Sequence, residues 1–121
     1  MDFTDLYING QWRPGAEGAR FDVINPADEQ ALASVASAEL ADADAALDAA
    51  EAAMKDWAAR TPRARSEVLR KAWELMTARL DDFARLITLE NGKARADAMG
   101  EASYAAEFFR WFAEEAVRAD G

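Results

Sequence analysis

The chain has 121 residues, of which 51% are hydrophobic and 31% are charged, and it contains no cysteine and no histidine. This composition is typical of a globular chain and excludes disulfides, thiolate metal sites and a histidine general base. The formal net charge of −9 repels phosphate backbones and anionic lipids, so neither a nucleic acid nor a membrane is an expected partner.

The first 37 residues predict short β-strands. Leu6–Ile8 and Gln11–Trp12 flank Asn9-Gly10, a pair that favours the type I′ turn of a hairpin because it adopts positive φ at low cost. Phe21–Ile24 and Leu32–Val35 are predicted as two further strands on either side of a polar turn. Strands this short need another layer to cover them.

Four helices are predicted from residue 38 onward. The first extends from about Ala41 to Trp57, with its acids early and its bases late, which suits the helix dipole. Thr61-Pro62 is predicted to begin the second helix as an N-cap followed by proline. Asp81 or Asp82 is predicted to cap the third helix, which Asn91-Gly92 ends, and the fourth extends from about Ala94 to Ala119. The predicted buried stripes are Leu69, Ala72, Trp73, Met76 and Leu80 in the second helix, and Phe83, Leu86, Ile87 and Leu89 in the third.

The fourth helix has apolar residues on two opposite faces. At helical spacing, Tyr104, Phe108 and Trp111 share one face. Burying each of these aromatic side chains stabilises a protein by roughly 2 kcal/mol, so this face needs a cover. Two interpretations stay open: other helices of this chain cover it, or it contacts a partner outside these residues. The opposite face is predicted to pack within the chain and consists of Ala102, Ala105, Ala106, Phe109, Phe112, Ala113 and Ala116.

The basic residues of the second helix predict a solvated, ion-paired surface. Arg70 and Lys71 lie at pairing distances from Glu67 and Glu74, which favours ion pairs over an anion site. Lys93 follows a helix end and is predicted to be an ordinary surface lysine. The residue types alone therefore indicate an α+β fold, short strands followed by four helices, without an active site.

Five motifs follow one another along the chain: LYINGQW, FDVINPADEQALASV, KDWAARTPRARSEVLRKAWELM, LENGK and GEASYAAEFFRWFAEEAVRADG. In this order they resemble the N-terminal quarter of an aldehyde dehydrogenase, over essentially the whole length of the chain. The segment SYAAEFFRWFAEEA is most similar to the succinate-semialdehyde dehydrogenase branch. The resemblance implies that residues 1–121 form a single incomplete domain of a Rossmann-like fold, with strands in residues 1–37 and helices in residues 38–121.

The resemblance also implies an activity for a longer enzyme. The family oxidises an aldehyde through a thiohemiacetal on cysteine and passes hydride to NAD or NADP. The similarity to the succinate-semialdehyde dehydrogenase branch implies succinate semialdehyde as the aldehyde. The catalytic cysteine, glutamate and asparagine and the coenzyme turn are expected outside this chain. No catalytic residue, coenzyme-binding residue or cofactor is therefore expected in it. The expected partner is the rest of the enzyme chain, in a cytoplasmic homo-oligomer.

Two sites within the chain are implied by the resemblance. Tyr104, Phe108 and Trp111 are expected to line the substrate entrance. The backbone near Val23-Ile24 and the carboxylate of Glu90 resemble a monovalent-cation site, where hard oxygen ligands suit a hard ion. In this family Thr-Gly often stands where this chain has Asp28-Glu29.

A second hypothesis belongs to a different class of protein. The chain would then be a stand-alone, non-catalytic helical module that self-associates, or binds a partner, through the exposed aromatic residues of its fourth helix.

Overall fold

The computed structural model describes residues 3–118, and within them the chain forms short strands followed by helices. The strands are β1 (Leu6–Ile8), β2 (Gln11–Arg13), β3 (Arg20–Ile24) and β4 (Ala31–Ala36), and the helices are α1 (Leu40–Ala59), α2 (Pro62–Thr77), α3 (Leu80–Asn91) and α4 (Arg95–Glu115). This order confirms the predicted α+β class. The chain divides into two compact units between Ala58 and Ala59, so α1 is grouped with the strands in the first unit and the other helices form the second.

The predicted hairpin is present at the start of the first unit. β1 and β2 pair antiparallel, with Tyr7 opposite Trp12, and their rings lie 5.0 Å apart. Asn9 and Gly10 have φ values of 51° and 78°, the positive angles that a type I′ turn requires. The local turn signal therefore predicted this element correctly.

β3 and β4 form a second antiparallel pair, joined by a turn in which Asn25 is buried. The Asn25 side-chain oxygen accepts a hydrogen bond from the amide of Ala27 at 3.0 Å. Glu29 adopts a φ of 60°, a left-handed conformation that non-glycine residues rarely occupy. The turn thus has the geometry that a glycine favours, with a glutamate in it.

Arg20 joins the N-terminal segment to this second pair of strands. Its guanidinium forms an ion pair with Asp5 at 2.7 Å, donates to the hydroxyl of Thr4 at 2.9 Å, and donates to the carbonyl of Ser34 at 2.7 Å. The bonds from one planar group fix three segments of chain in one arrangement.

Asp42 is a buried carboxylate at the start of α1. One oxygen, Oδ2, accepts from the amide of Ala16 at 2.9 Å and from the amide of Glu39 at 3.0 Å, while Oδ1 lies 2.8 Å from the Arg13 guanidinium. The hydrogen bonds from Glu39 and Ala16, with the charge of Arg13, hold the pKa of Asp42 below its ordinary value. Asp42 therefore connects β2, the following loop and α1.

The second unit begins with the predicted cap. The hydroxyl of Thr61 accepts from the amide of Ala64 at 3.2 Å, and Pro62 occupies the first turn of α2. Gly92 ends α3 in the left-handed conformation with a φ of 77°, as predicted. The predicted cap of α3 was wrong: its N-cap is Arg79, and Asp81 and Asp82 lie in the first turn, where acids still suit the helix dipole.

Small side chains form the centre of the second unit. α4 packs against both α2 and α3, and the buried residues that we term the alanine seam are Ala84, Ala98, Ala102, Ala106 and Ala113. Small residues let helix backbones approach closely. The predicted stripes of large residues in α2 are only half-buried. Leu80 belongs to α3 instead of α2.

The predicted packing faces of α3 and α4 were correct in part. Ala102, Ala106 and Ala113 are buried, whereas Ala105 and Phe112 are exposed. In α3, Leu86 is also exposed. Periodicity identified the centre of each packing face but could not define how wide the covered strip is, because its width is set by the neighbouring helices.

Among the helices of residues 3–118, none combines the length and the apolar character that crossing a membrane requires.

Candidate functional site

Three aromatic side chains of α4, which we term the aromatic face, lie together on its surface. Tyr104, Phe108 and Trp111 have exposed fractions of 67%, 47% and 58%. The rings of Tyr104 and Phe108 meet edge to face, with centroids 4.9 Å apart, an arrangement that aromatic pairs favour. The interpretation in which helices of this chain cover the aromatic face was wrong, because all three side chains remain exposed to solvent.

The aromatic face borders a shallow concavity of about 340 Å³. It is lined by Tyr104, Glu107, Phe108, Trp111 and Phe112. Aromatic rings with a few polar groups are a composition typical of the walls of small-molecule sites. The concavity is open to solvent, so it can form one wall of a pocket but does not enclose a ligand by itself.

Glu107 is the charged residue of this concavity. Arg110 donates from Nε to a Glu107 carboxylate oxygen at 2.7 Å, and this hydrogen bond holds the pKa of Glu107 below its ordinary value. A carboxylate that is ionised at neutral pH with a depressed pKa is a weak proton acceptor. Glu107 therefore gives the concavity a negative edge and is poorly suited to act as a general base.

A second concavity, of about 340 Å³, lies between α2 and α4 and has several arginines in its wall. Arg70 forms ion pairs with both Glu67 and Glu74, and Arg110 forms ion pairs with both Glu107 and Glu114. Each of these two arginines thus faces two carboxylates. The prediction of an ion-paired surface is confirmed for Arg70, and these neutralised cations offer little attraction to an anionic ligand.

The predicted surface lysine also has a partner. Lys93 forms an ion pair with Glu101 across the start of α4. This pair holds the loop after Gly92 close to the helix that carries the aromatic face.

The three residues of the predicted cation site lie in different units. Val23 and Ile24 are in β3, in the first unit, where Val23 is half-buried and Ile24 is exposed. Glu90 is exposed and is the second-to-last residue of α3, in the second unit. Within residues 3–118, three or more acidic side chains do not cluster as a metal site would require. A cation here would depend on backbone oxygens, and the site stays a prediction.

Sequence reasoning missed the role of Asp42. It treated this residue as one of several acids near the start of α1 that suit the helix dipole. The signal was available: Asp42 is the third residue of the helix, and its bond to the Glu39 amide is the reciprocal half of a capping box. The contacts with Arg13 and Ala16 come from distant positions and had no local signature.

Comparison with known proteins gives a single family. Residues 12–121 match the model of the aldehyde dehydrogenase family. A succinate-semialdehyde dehydrogenase of Paenarthrobacter nicotinovorans is 59% identical over 87 residues, covering 72% of this chain and 19% of that protein. The NADP(+) succinate-semialdehyde dehydrogenase of Escherichia coli strain K12 is 46% identical over 114 residues, covering 94% of this chain and 24% of that protein.

A solved structure agrees with these matches. The crystal structure of succinate-semialdehyde dehydrogenase from Burkholderia pseudomallei superposes with a TM-score of 0.91 at 40% identity, covering 95% of this chain and 24% of that one. The chain thus spans about a quarter of the length of the curated relatives it matches. A match this extensive favours a segment of a larger fold over the stand-alone interaction module.

Proposed function

Because the chain belongs to the aldehyde dehydrogenase family, we propose that it forms the N-terminal part of an enzyme that oxidises an aldehyde to a carboxylate with NAD or NADP. The observation that carries the proposal is the family match over residues 12–121. When bound, the coenzyme accepts the hydride. The chain contains no cysteine, so a cysteine nucleophile would have to lie in a part of the enzyme outside these residues.

The proposed substrate is succinate semialdehyde. The relatives from Paenarthrobacter nicotinovorans and Escherichia coli carry this substrate in their names, which supports the assignment. The negative edge that Glu107 gives to the concavity repels a substrate carboxylate at that position. The carboxylate of the substrate would therefore have to bind away from Glu107, with the aldehyde carbons nearer to the aromatic face.

The aromatic face is proposed to form one wall of the substrate entrance. Its support is physical: three exposed rings side by side are costly in water, and they border a concavity of suitable composition. Phe108 and Trp111 would exclude water from the entering aldehyde. Tyr104 would place a hydroxyl among the rings of this wall, where it can donate to or accept from the substrate.

A full-length chimaera tests this proposal. This chain replaces the matching quarter of the E. coli relative, and NADPH formation with succinate semialdehyde is measured. We expect an active chimaera, and Trp111→Ala should reduce kcat/KM by roughly tenfold. Leu75→Ala, which removes an exposed apolar side chain of α2, is the matched control and should change kcat/KM little.

Two results would contradict the proposal. An inactive but folded chimaera would separate this chain from the activity of its relatives. Equal losses for Trp111→Ala and Leu75→Ala would give the aromatic face only a packing role. The isolated chain should form no NADPH or NADH with any aldehyde, and measurable turnover would place a complete active site within these residues.

We also propose a monovalent cation near Val23-Ile24 and Glu90, because the oxygen donors of the backbone and of a carboxylate suit a hard ion. In the chimaera, potassium in place of choline should raise Tm, and Glu90→Gln should reduce that difference. An unchanged potassium effect in the variant would remove Glu90 from the site.

We also propose that the complete enzyme is a cytoplasmic homo-oligomer. Light scattering of the purified chimaera measures its molar mass and so tests the oligomeric state.

A further inference from the structure

Helix α1 contains 20 residues but buries only one of them, Asp42. The residues from Ala50 to Ala59 are all exposed. In proteins, most of the stability of a helix comes from tertiary packing of its apolar face. The first unit covers one side of the N-terminal turns of α1, so most of this helix has its apolar residues in solvent.

The apolar residues of α1 follow a heptad pattern. Leu40, Leu47 and Met54 occupy successive a positions, and their exposed fractions are 78%, 68% and 64%. The d positions between and after them hold Ala43, Ala50 and Trp57. We term this stripe the heptad face, and its six residues are Leu40, Ala43, Leu47, Ala50, Met54 and Trp57. Such a 3-4 spacing is typical of a helix that packs along a second helix.

The heptad face also borders a concavity. Part of the stripe, from Leu47 to Trp57, lines a shallow groove of about 600 Å³. Glu51 forms one edge of the groove and Ala53 the other. With Asp44 one heptad earlier, the first edge is acidic, whereas Ala46 and Ala53 leave the second edge small and uncharged.

The charges oppose pairing of α1 with a second copy of itself. The helix carries five acids (Asp42, Asp44, Asp48, Glu51 and Asp56) and one lysine, a formal charge of −4. An antiparallel copy would set the acidic edges against each other, and a parallel copy would set them against alanines. Neither arrangement gives an attractive pair, and both bring two anionic helices together.

We propose that the heptad face is a docking surface for an amphipathic helix in the remainder of the enzyme chain, with Lys or Arg along the edge that meets Asp44 and Glu51. This inference rests on the proposed function, because a full-length relative is about four times as long as this chain. The occupant covers Leu40, Leu47 and Met54, and its basic edge neutralises the acidic edge of α1. The heptad face and the aromatic face lie in different units.

The test compares substitutions in the full-length chimaera with the same substitutions in the isolated chain. In the chimaera, the double change Leu47→Glu and Met54→Glu should lower Tm by roughly 5 °C or more and increase the binding of a hydrophobic dye. The matched control is Ala52→Glu, which adds a charge to an exposed residue of α1 outside the heptad face and should leave Tm within about 1 °C.

In the isolated chain, Leu47→Glu with Met54→Glu should leave Tm within about 2 °C, since both side chains are already exposed. A large fall there would show that the chain buries the heptad face itself and would overturn the inference. An unchanged Tm of the doubly substituted chimaera would overturn it as well, because the face would then stay exposed in the complete enzyme.

The charge argument has its own test. Asp44→Lys with Glu51→Lys should lower the Tm of the chimaera more than Asp48→Lys with Asp56→Lys, which reverses two acids away from the acidic edge. Equal effects would refute a basic partner edge. If sedimentation shows that the isolated chain dimerises and that Leu47→Glu abolishes the dimer while the chimaera is unaffected, the occupant is a second copy and the inference fails.

Failure of the inference and failure of the proposed function give different results. An inactive chimaera whose Tm falls with Leu47→Glu and Met54→Glu retains the docking surface and loses the proposed activity. An active chimaera whose Tm is unaffected retains the activity and loses the docking surface.

Discussion

The two units of the chain are stabilised by different kinds of contact. In the first unit, Arg20 and Asp42 each connect three segments through hydrogen bonds and ion pairs. In the second, the alanine seam lets three helices approach closely, and the ion pairs lie on the surface. The difference teaches that short strands need directional bonds to fix their positions, whereas helices satisfy their own backbone groups and need mainly shape complementarity.

Both units nevertheless leave large apolar side chains in solvent. The aromatic face belongs to the second unit and the heptad face to the first. The residues that are buried are small, and the residues that would stabilise most by burial are exposed. This distribution differs from that of most globular domains, in which large apolar side chains are mainly buried.

Gly15→Ala should have the largest effect and should act on the first unit. A methyl group at this position would lie 2.1 Å from the carbonyl oxygen of Ser37, so the backbone must move and the Asp42 contacts nearby are lost. We expect destabilisation of about 3 kcal/mol or more, measured by urea unfolding. Hydrogen exchange should localise the loss to residues before Ala59.

The control for this change lies in the second unit. At Gly100, within α4, an added methyl group meets no atom within 4 Å, and Gly100→Ala should stabilise the helix by about 0.5–1 kcal/mol. Destabilisation of both units by Gly15→Ala would contradict the contrast between them.

Ala106→Leu tests the alanine seam. The larger side chain cannot fit between closely packed helices without displacing them, so we expect a loss of about 1–3 kcal/mol in the free energy of unfolding. Its neighbour Ala105 is exposed, and Ala105→Leu should change this free energy by no more than about 0.5 kcal/mol. Similar losses for both variants would mean that the seam is wider than described.

Asp42→Asn tests the polar contacts of the first unit. The pKa of Asp42 is lowered by folding, so its carboxylate contributes stability above the unfolded pKa of about 3.9, and this contribution is lost as pH falls through the folded pKa. At pH 7, Tm of the variant should be lower by a few degrees, roughly 4 °C. In acid, once the pH has fallen below the folded pKa of Asp42, the two proteins should converge.

Asp48→Asn is the control for this titration, because Asp48 is an exposed acid of the same helix. It should leave Tm nearly unchanged at both pH values. A constant difference between the Asp42→Asn variant and the original chain across this pH range would mean that the ionised carboxylate is not what stabilises the unit.

Glu29→Gly should have the smallest effect and the opposite sign. Because Glu29 has a positive φ, glycine relieves strain, although it also increases the entropy of the unfolded chain. We expect a net gain of about 0.5 kcal/mol in urea unfolding. Asn9 also has a positive φ but tolerates it better, so Asn9→Gly should gain less. A loss of stability in the Glu29→Gly variant would show that the glutamate side chain stabilises the turn.

Local signals in the sequence predicted the ends of elements well. Asn9-Gly10, Thr61-Pro62 and Gly92 each act through the conformation or hydrogen bonds of their immediate neighbours, and each does so in the structure. Contacts with residues that are distant in the sequence could not be predicted from local patterns. Asp42 bonds to Ala16, 26 positions away, and the exposure of Phe112 depends on how α2 and α3 cover α4.

The sequence predicted where the aromatic face lies but not whether the chain covers it. Helical periodicity placed Tyr104, Phe108 and Trp111 on one face, and the structure confirms that they lie together. Periodicity could not decide whether the chain itself covers them, because that depends on the number and placement of neighbouring elements. The lowered pKa of Glu107 could not be predicted either. In the sequence, an acid that accepts a hydrogen bond from an arginine looks the same as one that is only solvated.

The shared oxygen of Asp42 has a consequence for how the first unit opens. The amides of Ala16 and Glu39 both donate to Oδ2, although they belong to a loop and to the start of a helix. Rotation of this one carboxylate breaks both hydrogen bonds together. The exchange of the two amide hydrogens with solvent therefore reports a single event. The hairpin can form rapidly by itself, and the ion pair between Arg13 and the other oxygen, Oδ1, then joins it to the first turn of α1.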